Sequence, residues 1–279
     1  MSEPMDLGTV IYSVDGPVAT VLMNRPEVRN AQSTALIEDT DKAFDLAADD
    51  DEVRVVILAG AGDHFCAGHD LKAIVGEEEP DEWRLKRATA EGKLEHEQVM
   101  YFDKCMRIRD FPKPTIARVQ GACAAAGMML VGVVDLVVAA DDAFFTNPVL
   151  KMSGAGVELL VEPYLMGFRA AKEFLLTGRR IGADEALALG MVNRVVDRAE
   201  LEAATAGLAA EIAKVPPITA QMVKRSINEA EDLGGKLAAF RQHFMIHQFT
   251  SNTKTALDLA AQREATGSVK QVIAERDGG

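Results

Sequence analysis

The sequence predicts an α/β layered fold, because strands alternate with helices through residues 1–200. Three observations carry this. Residues 10–14 and 18–23 are β-rich runs joined through Asp15-Gly16, a hairpin signal. Residues 53–58, 115–119 and 134–139 are short, nearly continuous apolar runs, the pattern of strands buried on both faces. Between the first two sits a helical pattern at residues 33–48, with Leu36, Ile37, Phe44 and Ala47 on one side.

The remaining elements follow in order. Residues 77–110 are polar and charge-rich, and Glu77-Glu78-Glu79-Pro80-Asp81 breaks the pattern, so this part reads as a mobile loop leading into a helix. Phe111-Pro112-Lys113-Pro114 is a rigid connection, and residues 121–133 read as a glycine- and alanine-rich helix start. Short helices are expected at 170–176 and 184–189, with Gly190 as a C-terminal cap, then a last strand at 191–196. From Leu201 onward the pattern is helical, interrupted by Pro216-Pro217 and Gly234-Gly235. Its apolar positions, among them Leu237, Phe240, Phe244 and Phe249, require cover from the core or from another subunit.

Composition narrows the function classes. The 279 residues carry a net charge of −13, which disfavours a nucleic-acid partner because phosphate-backbone binding needs a basic footprint. No apolar run approaches the ~20 residues that span a bilayer, and residues 1–6 have neither a basic start nor an apolar core of a signal peptide, so no membrane partner is expected. Cys66, Cys105 and Cys123 form no CxxC pair, and three free thiols fit a reducing cytoplasm. No metal site is expected: His243 and His247 stand four apart on one helical stretch, without an HExxH pattern, and read as ordinary helix residues.

Two stretches could carry chemistry. Phe65-Cys66-Ala67-Gly68-His69-Asp70-Leu71-Lys72 follows one buried strand, and Gly121-Ala122-Cys123-Ala124-Ala125-Ala126-Gly127 follows another. Small residues at a turn into a helix let the backbone approach a ligand and leave N–H groups free. Each stretch alone reads equally as close packing of a turn. Together, at one edge of a sheet, they can aim two N–H donors at one oxygen, an oxyanion hole. Cys66 and Cys123 lie inside these stretches but have no identifiable base, so they read as buried small residues.

The order of further segments is similar to that of the crotonase superfamily, the enoyl-CoA hydratase/isomerase family. It runs from Asn24-Arg25-Pro26-Glu27-Val28-Arg29-Asn30-Ala31 through the two stretches above and Lys113-Pro114-Thr115 to Leu189-Gly190-Met191-Val192-Asn193, over residues 8–198. The resemblance implies a ββα spiral core over residues 1–200 with the acyl-CoA site, and a helical region over 201–279 that builds homotrimers or dimers of trimers. It implies an enzyme acting on an acyl-CoA thioester in fatty-acid or related metabolism, with no cofactor beyond the CoA of the substrate. The thioester oxygen would be held by the backbone N–H groups of His69 and Ala126. Arg25, Arg29, Ala67, His69, Asp70, Leu71 and Lys72 would line the CoA moiety, the basic residues among them reading equally as solvated surface charge.

The chain departs from the family pattern where hydratases carry two water-activating glutamates. In this register their places are taken by Met129 and by Val149 of a Pro148-Val149 dipeptide. Neither can transfer a proton. In Val157-Glu158-Leu159-Leu160-Val161-Glu162-Pro163-Tyr164 the apolar spacing is helical, which would put Glu158 and Glu162 on one face. Glu158 is the preferred acid/base candidate, and a single carboxylate suits double-bond isomerisation better than hydration. Three other readings stay open: an acidic residue favoured by a helix dipole, a different crotonase reaction such as dienoyl isomerisation, thioester hydrolysis or C–C cleavage, and an acyl-CoA-binding homologue without catalysis. Met128, Met129, Met152 and Val149 suggest an apolar acyl pocket.

Overall fold

The structure is a computed structural model, which describes residues 3–72, 81–153 and 156–266. Strands β1 (Met5–Asp6), β2 (Val10–Asp15) and β3 (Val18–Met23) form antiparallel pairs, with Asp15 opposite Val18 across the Gly16-Pro17 turn. Val10, Tyr12, Ala19, Val21 and Met23 alternate into the core, as the period of two requires. Helix α1 (Thr34–Asp49) is capped by Ser33, whose Oγ accepts from the Leu36 N–H at 3.2 Å, and buries Leu36, Ala43, Phe44 and Ala47.

From β3 onward the sheet is parallel: β4 (Val55–Gly60) pairs with β3 and with β5 (Thr115–Val119), and β7 (Leu136–Ala140) joins β5 to β10 (Arg194–Val196). A second, small sheet is built from β6 (Ala122–Ala124), β8 (Phe144–Thr146) and β9 (Arg180–Gly182). A bridge between Cys66 and Cys123 ties the turn after β4 to this second sheet. The chain thus makes repeated turns of strand, short second-sheet segment and helix, a crotonase-type ββα spiral.

One difference from the sequence reading lies at 121–133. The segment does not enter a helix at Gly121. Gly121 takes φ 52°, where a Cβ would lie 2.1 Å from the Asp63 carbonyl oxygen, and Ala122–Ala124 then pair with β8. Helix formation waits until Ala126.

The helices after α1 are α2 (Asp81–Lys86), α3 (Ala90–Glu97) and, beyond a π-helical turn at Gln98–Asp103, α4 (Lys104–Arg109). Of the expected loop, residues 73–80 lie outside the described residues, and from Asp81 onward the segment is helices joined by short turns. Met100, Tyr101, Phe102, Cys105 and Ile108 bury an apolar face beneath the charged surface of this segment. Next come α5 (Ala126–Val133), α6 (Val149–Ser153), α7 (Glu162–Met166), α8 (Phe168–Thr177) and α9 (Ala183–Ala188).

The C-terminal helices are α10 (Leu201–Ile212), α11 (Pro217–Leu233), α12 (Lys236–Ser251) and α13 (Lys254–Thr266). They are more than an appendage. Leu201 and Ala209 of α10 cover Val55, Ile57, Ile116 and Val138 on one sheet face. Phe240 and Phe244 of α12 enter the main core on the other side. This two-sided cover explains why β4 and β7 carry no polar side chain. In contrast, α11 buries no residue, and Arg109 holds it through Asp232 at 2.8 Å and the Asn228 carbonyl at 3.0 Å. Among the described residues no helix is long and apolar enough to cross a membrane.

Candidate active site

Strands β4 and β5 are parallel, so the turns that follow them emerge at one edge of the sheet. These turns carry the two small-residue stretches, and they touch. A Cβ on Gly68 would lie 2.8 Å from the Ala125 Cβ and 3.2 Å from the Ala126 nitrogen, and Gly68 itself takes φ 95°. Only glycine satisfies both constraints. Gly127 is equally confined, since a Cβ there would lie 2.7 Å from the Cys66 carbonyl oxygen.

Gln32 holds the two turns in register, and the sequence reading missed it. Its N–H donates to the Gly68 carbonyl at 2.7 Å and its carbonyl accepts from Asp70 at 3.0 Å. Its side-chain amide donates to the Ala126 carbonyl at 3.1 Å. Flanked by these bonds, the N–H groups of His69 and Ala126 donate to no protein group among the described residues. Ala126 opens α5, where the first N–H groups lack intrahelical acceptors.

Around this edge, Arg25 is committed to protein contacts. Its Nη1 donates to Asp70 Oδ2 and to the Ala31 carbonyl, both at 2.8 Å, so it ties the 24–31 segment to the His69 turn. Arg29, Leu71 and Lys72 are exposed at the rim, and Ala67 is half-buried, its N–H donating to the Arg29 carbonyl.

Glu158 is buried, 4 % exposed, and its Oε2 lies 3.0 Å from His69 Nε2. Glu158 thus meets the His69 side chain, though not in the way its spacing suggests. Residues 156–161 form bends without helix, and α7 starts only at Glu162. Glu158 and Glu162 consequently do not share a helix face. Glu162 Oε1 accepts from Asn147 Nδ2 at 2.7 Å, and its Oε2 is buried without a partner. The dipole of a helix first turn cannot account for Glu158 either, since it occupies none.

What fixes Glu158 is α12. His243 Nε2 donates to the Val157 carbonyl at 2.9 Å, and His247 Nδ1 lies 2.7 Å from the Gly156 carbonyl. The other nitrogen of His247 lies 3.0 Å from Glu97 Oε2 and 3.8 Å from Glu158 Oε1. Glu97 Oε2 also accepts from Gln248 Nε2 at 2.5 Å. His247 is thus part of the site, not an ordinary helix residue, and Glu97 joins it from α3. Glu97, Glu158 and His247 have ligand-type atoms within 4.8 Å of one another, the grouping among the described residues that could hold a metal ion. Their mutual hydrogen bonds and ion pairs already account for that spacing.

The electrostatics divide the acidic groups. Burial pushes the Glu158 carboxyl up, but the His69 ring, by charge and hydrogen bond, and the His247 ring outweigh it and hold Glu158 below the usual carboxylate range. Burial pushes Glu162 up, and the Asn147 hydrogen bond opposes it without prevailing. Burial lowers His247, but the Glu97 hydrogen bond and the Glu158 and Glu97 charges raise it overall. Burial raises Cys66 and Cys123, and pushes Cys105 up to about 12, so none is a ready thiolate.

The rings around His69 complete the wall. Tyr101 lies against it, tilted, at 4.1 Å between centroids, and His96 meets Tyr101 edge-on at 5.5 Å. A small apolar cavity between α1, the π-helical turn and α5 is lined by Met23, Leu36, Met100, Tyr101 and Met129. Of the expected pocket residues only Met129 lines it; Met128 is buried elsewhere in the core and the Met152 side chain lies outside the described residues. Met129 is fully enclosed and Val149 half-buried, and neither offers a titratable group.

Comparison with known proteins agrees with this fold. The family model described as enoyl-CoA hydratase/isomerase matches residues 14–260. EchA13 of Mycobacterium tuberculosis, named as a candidate enoyl-CoA hydratase, is 42% identical over 245 residues, covering 84% of this chain and 77% of its own. The crystal structure of a probable enoyl-CoA hydratase from Mycobacterium smegmatis superposes with a TM-score of 0.80 at 42% identity, covering 87% of this chain and 94% of that one. An enoyl-CoA hydratase/isomerase from Xanthobacter autotrophicus Py2 gives a TM-score of 0.87 at 32% identity, covering 98% of both chains. With the spiral, the paired turns and these matches together, the chain belongs to the enoyl-CoA hydratase/isomerase family of the crotonase superfamily.

Proposed function

We propose that this enzyme moves a proton between carbons of an acyl-CoA thioester, an isomerase-type reaction. The backbone N–H groups of His69 and Ala126 hold the thioester oxygen, and the His69–Glu158 pair carries the proton. The supporting observation is the placement of a buried carboxylate 3.0 Å from the ring of His69, whose own N–H is one of the two free donors.

The chemistry follows from that pairing. Glu158 lies below the usual carboxylate range, which makes it a weak base but a good partner for a positive ring. With Nε2–H donating to Glu158, His69 Nδ1 keeps its lone pair, and it is buried without a partner. In a 3-enoyl-CoA, His69 Nδ1 takes the C2 proton. The C2–H electron pair becomes the C1–C2 double bond, and negative charge develops on the thioester oxygen between the two N–H donors. Return of the proton to C4 gives the conjugated 2-enoyl-CoA, and His69 is neutral again. The sum consumes nothing. In the family register Met129 and Val149 take the places of the usual pair of glutamates, which speaks against hydration by such a pair.

The CoA moiety would run along Ala67, Leu71 and Lys72 with Arg29 at the rim. Arg25 and Asp70, paired to each other, order that wall rather than present free charge. No cofactor beyond the substrate's CoA enters the reaction. The region from residue 201 would also build a homotrimer or dimer of trimers, because α11 exposes Ile218, Met222, Val223 and Ile227. Light scattering should give three or six chain masses, and a single-chain mass would overturn that assembly.

The reaction is tested with 3-enoyl-CoA and 2-enoyl-CoA esters of several chain lengths in deuterated water. Conversion of the 3-enoyl ester with deuterium at C2 or C4 is expected, without net water addition to the 2-enoyl ester. Binding of the esters with no turnover would replace this reading by a non-catalytic acyl-CoA-binding one.

A further inference from the structure

The C-terminal helix reaches the proposed proton-transfer pair from more than eighty residues away in sequence. Both nitrogens of His247 face oxygens. The Gly156 carbonyl can only accept, so Nδ1 carries a hydrogen. Glu97 Oε2 already accepts from Gln248, which favours a donating Nε2 as well. Both donors present make the ring an imidazolium, and Glu158 Oε1 stands 3.8 Å from the same Nε2 that meets Glu97. His243 grips the next carbonyl, that of Val157, and a Cβ on Gly156 would come within 3.2 Å of the His243 ring. The backbone leading into Glu158 is therefore clamped against α12 by two imidazoles.

We infer that His247 is a positioning residue that keeps Glu158 ionised and aimed at His69, and that Glu97 in turn keeps His247 charged. The proton-transfer pair is then set by a helix outside the spiral, through the order Glu97, His247, Glu158, His69. This rests on the proposed role of Glu158 in proton transfer.

The groups facing Glu158 are His69 from the turn after β4, His247 and the backbone-bonded His243 from α12, His96 from α3 and the Cys105 thiol from α4. Glu97 is faced by His247, Gln248 and, at 3.8 Å, Lys93. Burial holds His96 down at about 4, and burial raises the Cys105 thiol, so both are neutral near pH 7. His243 is lowered by burial despite its Val157 bond. The imidazole that its partners favour as a cation beside Glu158 is therefore His247, joined by His69 whenever it carries the proton.

The test uses full-length His247→Gln and Glu97→Gln. Carbon-13 NMR follows the Glu158 carboxyl, identified by its loss in Glu158→Gln, and nitrogen-15 NMR follows the His247 ring. In His247→Gln the Glu158 midpoint should rise by about one pH unit or more, and the acid limb of kcat/KM should rise with it. In Glu97→Gln, which leaves the His247 ring and its carbonyl bond in place, the His247 midpoint should fall. A folded His247→Gln whose activity drops equally at every pH, with the Glu158 midpoint unmoved, overturns the inference. If His247→Gln does not fold, an unmoved His247 midpoint in Glu97→Gln overturns it instead. Absence of turnover in the wild type would sink the isomerase reading alone, because the two midpoints are measured without substrate.

Discussion

Glu158 and Glu162 are the same residue type, four positions apart, and both are buried. Their surroundings drive them in opposite directions. Glu158 meets two imidazoles and is held low, whereas Glu162 meets one amide, keeps an oxygen unpartnered and is pushed up. The difference arises because the chain between them is not helical until Glu162. Carbonyl bonds from His243 and His247 draw residues 156–158 toward α12, while Val161 packs where a Cβ on Gly132 of α5 would collide with it. Burial alone thus says nothing about role. The partner set decides which carboxyl is held low and which is pushed up inside the core.

The strongest way to break this contrast is to neutralise each residue in turn. Glu158→Gln should lower kcat for 3-enoyl-CoA isomerisation by about 10²–10⁴-fold, the range of a lost proton-transfer partner. Glu162→Gln preserves the shape of a group already inclined to be neutral, and kcat should stay within about threefold. Equal losses in the two variants, measured by steady-state kinetics on folded protein, would move the proton-transfer role away from Glu158.

The same contrast explains what could be read from the sequence. The paired turns were legible because they depend on local facts, small residues after apolar strands, and the positions of Gly68 and Gly127 show the contact that makes small residues necessary. Glu158 was legible as a residue, but the helical spacing offered for it was misleading. The clamp that displaces it comes from His243 and His247, whose partners stand 86 and 91 residues away, and Glu97 stands 150 residues from His247. No local pattern encodes such pairings. Two histidines four apart on a helix look alike whether they face solvent or a carboxylate. The 90–109 segment was legible as helix but not as core, because its charged outer face masks a buried stripe of Met100, Tyr101, Cys105 and Ile108. A π-helical turn further upsets the 3.6-residue spacing by which such a stripe would be found.

Stability against pH sharpens the comparison with a smaller effect, of opposite sign at the two positions. A carboxyl whose folded pKa is depressed contributes stability above its unfolded pKa, and loses it as pH falls through the folded one. Glu158 is such a group, so the deficit of Glu158→Gln relative to wild type should be largest near pH 6 and shrink as pH falls toward 3. A carboxyl whose folded pKa is raised contributes stability below its unfolded pKa, and loses it as pH rises through the folded one. Glu162 is such a group, so Glu162→Gln should gain on wild type as pH rises above the ordinary carboxylate range. Both curves come from chemical denaturation at matched ionic strength. Curves of the same slope would mean that the two carboxylates feel the same environment, and that the clamp from α12 does not set Glu158 apart.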